Sequence, residues 1–218
     1  NDLQGIDQDF TPQSLYYVDQ DQELDMFSQE INIQSKENKI YDWLFGIFGF
    51  KQILDKSVTV EYGEDGLVQY KLPYSEYYYT KWYDNSNSGI AFFHQSTLKS
   101  GSFSVTAGIR ADYEKATLDY IYDKFINGEQ SNADAFKSDM DFFEILPKIA
   151  FKYSISEYLT PYITIAKGYN SGGFNSTFER DEDRSFKPEH SWNYEAGIKA
   201  KWLQQRIYTN LAFFYIDW

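Results

Sequence analysis

Residues 191–202 read S-W-N-Y-E-A-G-I-K-A-K-W, an unbroken alternation. Side chains of an extended strand point to opposite faces with period 2. Trp192, Tyr194, Ala196, Ile198, Ala200 and Trp202 therefore share one face, and Ser191, Asn193, Glu195, Gly197, Lys199 and Lys201 share the other. One face is apolar with an aromatic residue at each end, and the other carries charge and small polar groups. A soluble sandwich would bury the apolar face under a second sheet. Aromatics at both ends of an apolar strip about as tall as a bilayer core are instead the pattern of a transmembrane barrel strand, apolar outside and wet inside.

The same grammar recurs upstream. Residues 102–114 set Phe103, Val105, Ala107, Ile109, Ala111 and Tyr113 against Ser104, Thr106, Gly108, Arg110, Asp112 and Glu114. Residues 144–155 set Ile145, Pro147, Ile149, Phe151 and Tyr153 against Glu144, Leu146, Lys148, Ala150 and Lys152. Pro147 has no N–H for a ladder, so a bulge or an edge-like irregularity is expected there. Residues 159–169 alternate until Lys167 breaks the apolar face, and residues 206–218 alternate less cleanly through Ile207, Leu211, Phe213 and Tyr215. Further strands are expected at 24–35, 40–53 and 89–98. Stretches 43–50 and 90–93 are apolar on both faces, so pattern alone leaves their orientation open.

The links carry a second regularity. Short ones at 36–39, 99–101, 156–158 and 203–205 alternate with long ones at 54–88, 119–141 and 171–190. Outer-membrane barrels have short periplasmic turns and long extracellular loops, so one end of the sheet is expected to hold all the long loops. Within the first, residues 56–62 and 67–71 around Glu64-Asp65-Gly66 read as a small projecting hairpin. The expected fold is all-β: about eight antiparallel strands in up-and-down order, curved and not closed, forming an interior part of a larger barrel over residues 1–218.

Composition agrees. Only 42% of residues are hydrophobic while 20% are aromatic, with 20 Tyr, 18 Phe and 5 Trp, and mean hydropathy is −0.58. That balance suits a wall wet on one side. No run of about 18 apolar residues exists, which excludes a transmembrane helix, and residues 1–9 lack a signal-peptide pattern. The net charge of −13 argues against a nucleic-acid partner, which needs a basic stripe. The acidic runs at 19–25 and 179–183 read as solvated loop surface. The chain has no cysteine, hence no disulfide framework or thiolate metal site. His94 and His190 are too few and too distant to ligate a metal or haem, and no nucleophile, base and orienter stand at catalytic spacing. No enzyme reading and no cofactor emerge.

The run Lys167-Gly168-Tyr169-Asn170-Ser171-Gly172-Gly173-Phe174-Asn175, then Pro188-Glu189, then Asn193-Tyr194-Glu195-Ala196-Gly197-Ile198-Lys199, resembles the barrel of TonB-dependent outer-membrane receptors. Residues 210–218, NLAFFYIDW, are similar to the next strand of those receptors. The resemblance is sharp from about Leu146 onward and general before it. It implies energised uptake of a scarce nutrient, a ferric siderophore or similar iron complex first, with cobalamin or a glycan as alternatives. It also implies a Gram-negative outer membrane with its lipid bilayer and lipopolysaccharide, and a plug domain and TonB complex outside this chain.

Candidate residues follow. Gly172 and Gly173 would permit positive φ angles and a sharp exit from the strand. Arg110, Lys148, Lys152, Glu195 and Lys199 face the lumen, where pairing across strands is favoured over substrate contact. Tyr74, Tyr77, Tyr78, Tyr79, Trp82 and Tyr83 crowd the longest expected loop and offer rigid contact surface to a chelate or sugar, or pack on one another. As part of a loop, residues 74–83 should be removable without unfolding the barrel. An extracellular carbohydrate-binding sandwich or adhesin is the competing class; it would bury the face of Trp192, Ile198 and Trp202 against protein.

Overall fold

The structure, a computed structural model, describes residues 3–7, 12–175, 178 and 180–218. Glu179, which opens one acidic run, and residues 1, 2, 8 and 9 of the N-terminal stretch lie outside the described residues. The eight long strands are β2 (Tyr16–Gln34), β3 (Tyr41–Tyr62), β4 (Tyr77–Ser100), β5 (Phe103–Ile126), β6 (Glu129–Tyr153), β7 (Leu159–Asn170), β10 (Glu189–Trp202) and β11 (Ile207–Asp217). With the short β1 (Leu3–Asp7) they form one antiparallel sheet in the order β1-β2-β3-β4-β5-β6-β7-β10-β11. The sheet is curled and open, with β1 and β11 at its edges. A two-residue pair, β8 (Gly173–Phe174) and β9 (Ser185–Phe186), stands apart from it. Pairing of β1 with β2 was not foreseen; residues 3–7 read LQGID and carry no face pattern.

Register settles the two faces. His94 and Phe92 pair with Ile109 and Ala111 of β5, and Phe45 and Ile47 pair with His94 and Phe92. All lie on the outer, apolar face with Ile90 and Leu98. Phe48, Phe50 and Phe93 point inward, where the Arg110 guanidinium stacks 5.5 Å from the Phe48 ring and 5.6 Å from the Phe93 ring. The stretches left open by pattern are thereby oriented. The outer run from Phe103 to Tyr113, at about 3.3 Å per residue and tilted about 40°, rises about 25 Å, the height of a lipid-facing band.

Strands β2 to β6 continue well beyond that band, and there the faces exchange character. On β5 the outward residues become Lys115, Thr117 and Asp119, while the inward ones become Ala116, Leu118 and Tyr120, each at most 5% exposed. Tyr83, Leu118 and Tyr120 form a buried cluster with Val58, Tyr122, Phe136, Phe174 and Phe178 against it. Two of the long links expected from sequence are corrected by this. The link at 119–141 is strand on both sides, closed by a two-residue turn at Asn127-Gly128 with φ 50° and 82°. That pair of left-handed angles is what an Asn-Gly hairpin turn requires. The link at 54–88 contracts to 63–76.

The projecting hairpin within it does not form. Residues 56–62 belong to β3, and Glu64–Gln69 is a short helix, α1. Glu64 and Asp65 in its first turn suit the helix dipole. The Asp65 carboxylate accepts the Ser14 N–H at 2.8 Å, and a Cβ on Gly66 would lie 1.9 Å from the Leu15 carbonyl oxygen. The turn is thus held against the chain entering β2 rather than standing free. The third link, 171–188, holds the β8–β9 pair and, among the described residues, a 3-10 turn at Asp181–Asp183.

Pro147 pairs with Ile109 without a register shift, but the β6–β7 ladder ends one residue away, at Lys148 and Ala166. That edge-like irregularity fits the missing N–H. The bulge in β6 lies elsewhere, opposite Tyr122 and Asp123.

Candidate functional site

Past the end of the β6–β7 ladder, polar side chains bridge the gap between the two strands. The Glu144 carboxylate accepts from Lys167 Nζ at 3.1 Å and lies 2.7 Å from His190 Nε2, while the Tyr169 hydroxyl donates to Glu114. The early part of the family-like motif, from Lys167 to Tyr169, therefore fastens β7 and the start of β10 to the lumen face of β5 and β6. Gly168 sits with a virtual Cβ 3.0 Å from Ser191 Oγ and 3.1 Å from Asn193 Nδ2, and Asn193 itself donates to Ser191.

Ser171 leads into a loop that folds over the inner face. Gly172 and Gly173 are needed for close approach and not for a positive φ, which corrects the expectation. Neither has a left-handed angle, and a Cβ on Gly172 would meet the Phe186 carbonyl at 2.6 Å and the Phe142 ring at 2.9 Å. Phe174 then packs on the Tyr83, Leu118 and Tyr120 cluster. Asn175 ties the loop shut, its N–H donating to the Arg184 carbonyl and its Nδ2 to the Asp183 carbonyl. Arg184 lies 4.0 Å above the Phe136 ring and donates to Asp134 at 3.0 Å. Pro188 precedes Glu189, which opens β10 opposite Asn170.

Near the short-turn end, Gly197 leaves room for the Tyr162 ring, which a Cβ there would meet at 2.6 Å. The Tyr162 hydroxyl donates to Glu195, and Lys199 Nζ lies 5.3 Å above the same ring. Glu195, Gly197 and Lys199 thus hold one tyrosine, in place of the expected ion pairs. Arg110 bonds Asp112 two residues along its own strand at 2.7–2.9 Å rather than across strands. Lys148 and Lys152 are exposed on the lumen face with no ion pair among the described residues. Tyr194 faces outward, its ring 6.2 Å from that of Tyr215.

The tyrosines first grouped in one loop are divided by β4. Tyr77, Tyr79 and Tyr83 point inward and Tyr78 and Trp82 outward, since Tyr83 pairs with buried Tyr120 and Trp82 with Ile121. Tyr78 stacks on Phe125 at 4.4 Å on the outer face. Inside, the Tyr77 ring lies 5.2 Å from Tyr62 and 5.9 Å from Tyr74, and Tyr79 lies 5.5 Å from Tyr122. Tyr16 and Tyr70 complete this group at 6.4 and 5.6 Å from Tyr62. Tyr16, Tyr62, Tyr70, Tyr120 and Tyr122 escaped the sequence reading; the alternation of Leu118, Tyr120, Tyr122 and Lys124 before Asn127-Gly128 was the signal for the last two. The loop is pinned to the hairpin tip, because Asn127 Oδ1 accepts from Ser75 N, Ser75 Oγ and Glu76 N at 2.8–3.2 Å. Burial pushes the Tyr79 and Tyr83 phenols up to about 12 and raises Tyr120 and Tyr122 as well. These hydroxyls remain neutral donors at physiological pH. Among the described residues no group of three or more His, Cys, Asp or Glu is placed to hold a metal.

This fold has close counterparts among solved barrels. The ferric yersiniabactin uptake receptor FyuA from Yersinia pestis matches at TM-score 0.69 and 21% identity, over 94% of this chain and 30% of its own. The siderophore receptor PiuA from Acinetobacter baumannii matches at TM-score 0.57 and 12% identity, over 91% of this chain and 32% of its own. The chain spans about a third of the length of these proteins. Identities this low establish a shared fold and nothing finer. The profile described as "TonB dependent receptor-like, beta-barrel" matches residues 2–218, so this curled sheet, apolar outside and polar within, belongs to the β-barrel of the TonB-dependent receptor family.

Proposed function

We propose that the intact protein is a TonB-energised receptor of a Gram-negative outer membrane that takes up an iron(III) chelate, captured at the inner-face phenols of Tyr77, Tyr79 and Tyr122. The observation that carries this reading is the placement of those rings: on rigid strands, on the inner wall, above the lipid-facing band and at the end away from the short turns. Ordered aromatics supply large contact area at little entropic cost. A ferric yersiniabactin uptake receptor and a siderophore receptor share the fold, which favours iron over cobalamin or a glycan. A plug domain and the TonB complex would supply gating and energy from outside this chain, with lipopolysaccharide around the outer leaflet. The role is transport, not catalysis.

The test is binding of radiolabelled ferric complexes to cells with and without the gene under iron limitation, with Tyr79→Ala compared at equal amounts of folded, heat-modifiable protein. Loss of binding on deletion, and weakened binding in Tyr79→Ala, are expected. Growth indifferent to iron limitation, with uptake of cobalamin or a glycan falling instead, would overturn the reading. Excising residues 74–83 is not a clean test, because 77–83 form the start of β4 and carry ladder bonds to both neighbours. The link between the two strands is only 63–76.

A further inference from the structure

The upper ends of β7 and β10 leave the wall together. Their ladder with each other runs on to Asn170 and Glu189, but the ladder of β7 with β6 stops at Ala166 and Lys148. Above that point β6 pairs only with β5 among the described residues. Register puts Lys167 opposite Trp192 and Tyr169 opposite His190, on the outward row of β7 and β10. Glu144 stands opposite Asp112 and belongs, with Glu114, to the inward row of β5 and β6. Outward-row residues nevertheless bond to inward-row carboxylates, Lys167 and His190 to Glu144 and Tyr169 to Glu114. The paired ends 167–170 and 189–192 therefore roll inward and lie across the lumen face of β6. Ser171 and Gly172 continue the path over Ala116 and Phe142, and Phe174 ends on the Tyr83, Leu118 and Tyr120 cluster.

We propose that this inturned end is a strap, closed in the structure, that must swing off the inner wall before a captured ligand can pass down the lumen. The proposal rests on the uptake reading above and adds the moving part and its fastening. Along β5 the strap covers the inward residues from Glu114 to Tyr120, and Tyr122, one of the capture phenols, is the next inward residue above it. A ligand released from those phenols meets the strap first. The fastening is of a kind that opens. A backbone ladder inside the band cannot part without stranding amides where no water reaches them. Side-chain bonds in a wet lumen exchange for bonds to water at small net cost, and Pro147 has no N–H with which to carry the β6 ladder upward. Glu144 is the catch. It takes bonds from both strap strands, while its charged neighbours Asp112 and Arg110 are already bonded to each other.

Two arms test this in intact cells, on the full-length receptor with no cysteine other than those introduced. In the first, Ala116→Cys, 5% exposed and lining one pocket with Ser171 and Gly172, is treated with a membrane-impermeant maleimide. Labelling should be slow, and about tenfold or more faster when Glu144→Gln is added, because a bond to a charged group is lost. Lys148→Gln, at a lumen lysine with no ion pair among the described residues, should leave the rate unchanged. In the second arm Glu144→Cys/His190→Cys is bridged by a short bis-methanethiosulfonate that reductant cleaves. Binding and uptake of radiolabelled iron are then followed as its tris-catecholate and trishydroxamate complexes. The bridged receptor should bind whichever complex the wild type binds, with unchanged affinity, and take none up until reductant is added. A purely structural role for the catch would not give uptake that returns on reduction at constant binding. Labelling unaltered by Glu144→Gln in folded protein, full uptake through the bridged receptor, or loss of binding on bridging would each overturn the strap. Uptake of neither complex by the wild type would overturn the iron reading instead, and the labelling arm would still decide the strap.

Discussion

Below Glu114, β5 alternates Phe103, Val105, Ile109 and Tyr113 on its outer face with Thr106, Arg110 and Asp112 on its inner one; above it, the outer residues are Lys115, Thr117 and Asp119 and the inner ones Ala116, Leu118 and Tyr120. Neighbouring strands do the same. On β4, Ile90 and Phe92 give way to Ser88, Ser86 and Asp84 outside while Tyr83 is buried inside. On β6, Ile145 and Phe143 give way to Asp141, Asp139 and Lys137. The ladder runs through the change without a break at Glu114. Backbone hydrogen bonding is indifferent to what surrounds the sheet, whereas each face is selected for the medium it meets. The level at which apolar character crosses from outside to inside therefore marks where lipid ends. Above it, the inner face packs on the 171–188 loop and makes a small core of its own.

The contrast predicts unequal costs for one substitution on one strand. Ile109→Arg, in mid-band, should destabilise the full-length barrel by about 2–4 kcal/mol in reversible unfolding from lipid vesicles, because the charge meets hydrocarbon. Ile121→Arg, on the same face twelve residues on, should cost about 0.5 kcal/mol or less, as at an ordinary wet surface. Equal costs would break the comparison.

On the lumen side of the band, Gly197→Ala should cost about 1–3 kcal/mol, since the new methyl group displaces the Tyr162 ring and with it the bond to Glu195. Gly108→Ala serves as the contrast, because its virtual Cβ has no neighbour nearer than 3.6 Å and the change should fall within about 1 kcal/mol of neutral. Unfolding midpoints of the two variants sharpen which glycines are seats for rings and which are open lumen wall.

How much of this was legible follows from the same contrast. In the band, lipid on one side and water on the other write a period-2 pattern into β5, β6, β7 and β10, which could be read from residues alone, whereas 43–50 of β3 and 90–93 of β4 are apolar on both faces and only register orients them. In the extensions Thr80, Asp84, Lys115 and Asp119 share no apolar face with the band below them, so the alternation ends although the strand goes on. Asn127-Gly128 was the one local sign of a hairpin there. The split of Tyr77, Tyr79 and Tyr83 from Tyr78 and Trp82 needed only the knowledge that 77–83 is strand. The positive φ expected at Gly172 is not there, because what the position answers is the close approach of Phe142 and Phe186, a tertiary fact.

Alkaline titration gives a subtler separation of the two regions. The Tyr79 and Tyr83 phenols, raised by burial to about 12, hold their protons more tightly folded than unfolded. Their contribution to stability is therefore complete below pH about 10, the unfolded value, and is lost as pH rises toward 12. Ultraviolet difference titration of the folded protein should show phenols that ionise only as pH rises toward 12; ionisation of all tyrosines together near pH 10 would contradict the buried cluster. The smallest effect expected is on the outer face above the band, where register sets Asp84 between Asp55 and Asp119. Burial, with Asp55 and Asp119 adding to it, raises the Asp84 carboxyl, so Asp84→Asn should stabilise by about 0.2–1 kcal/mol at low salt and by less at high salt.

The most direct test of the central claim, that the outer face of this wall passes from lipid to water between Tyr113 and Lys115, exploits the absence of cysteine from the chain. Single substitutions Ile109→Cys and Ile121→Cys in the full-length receptor, in intact cells, are treated with a membrane-impermeant maleimide. The structure predicts rapid labelling of the second and none of the first until the protein is denatured. Rapid labelling of both, or of Ile109→Cys alone, would contradict it.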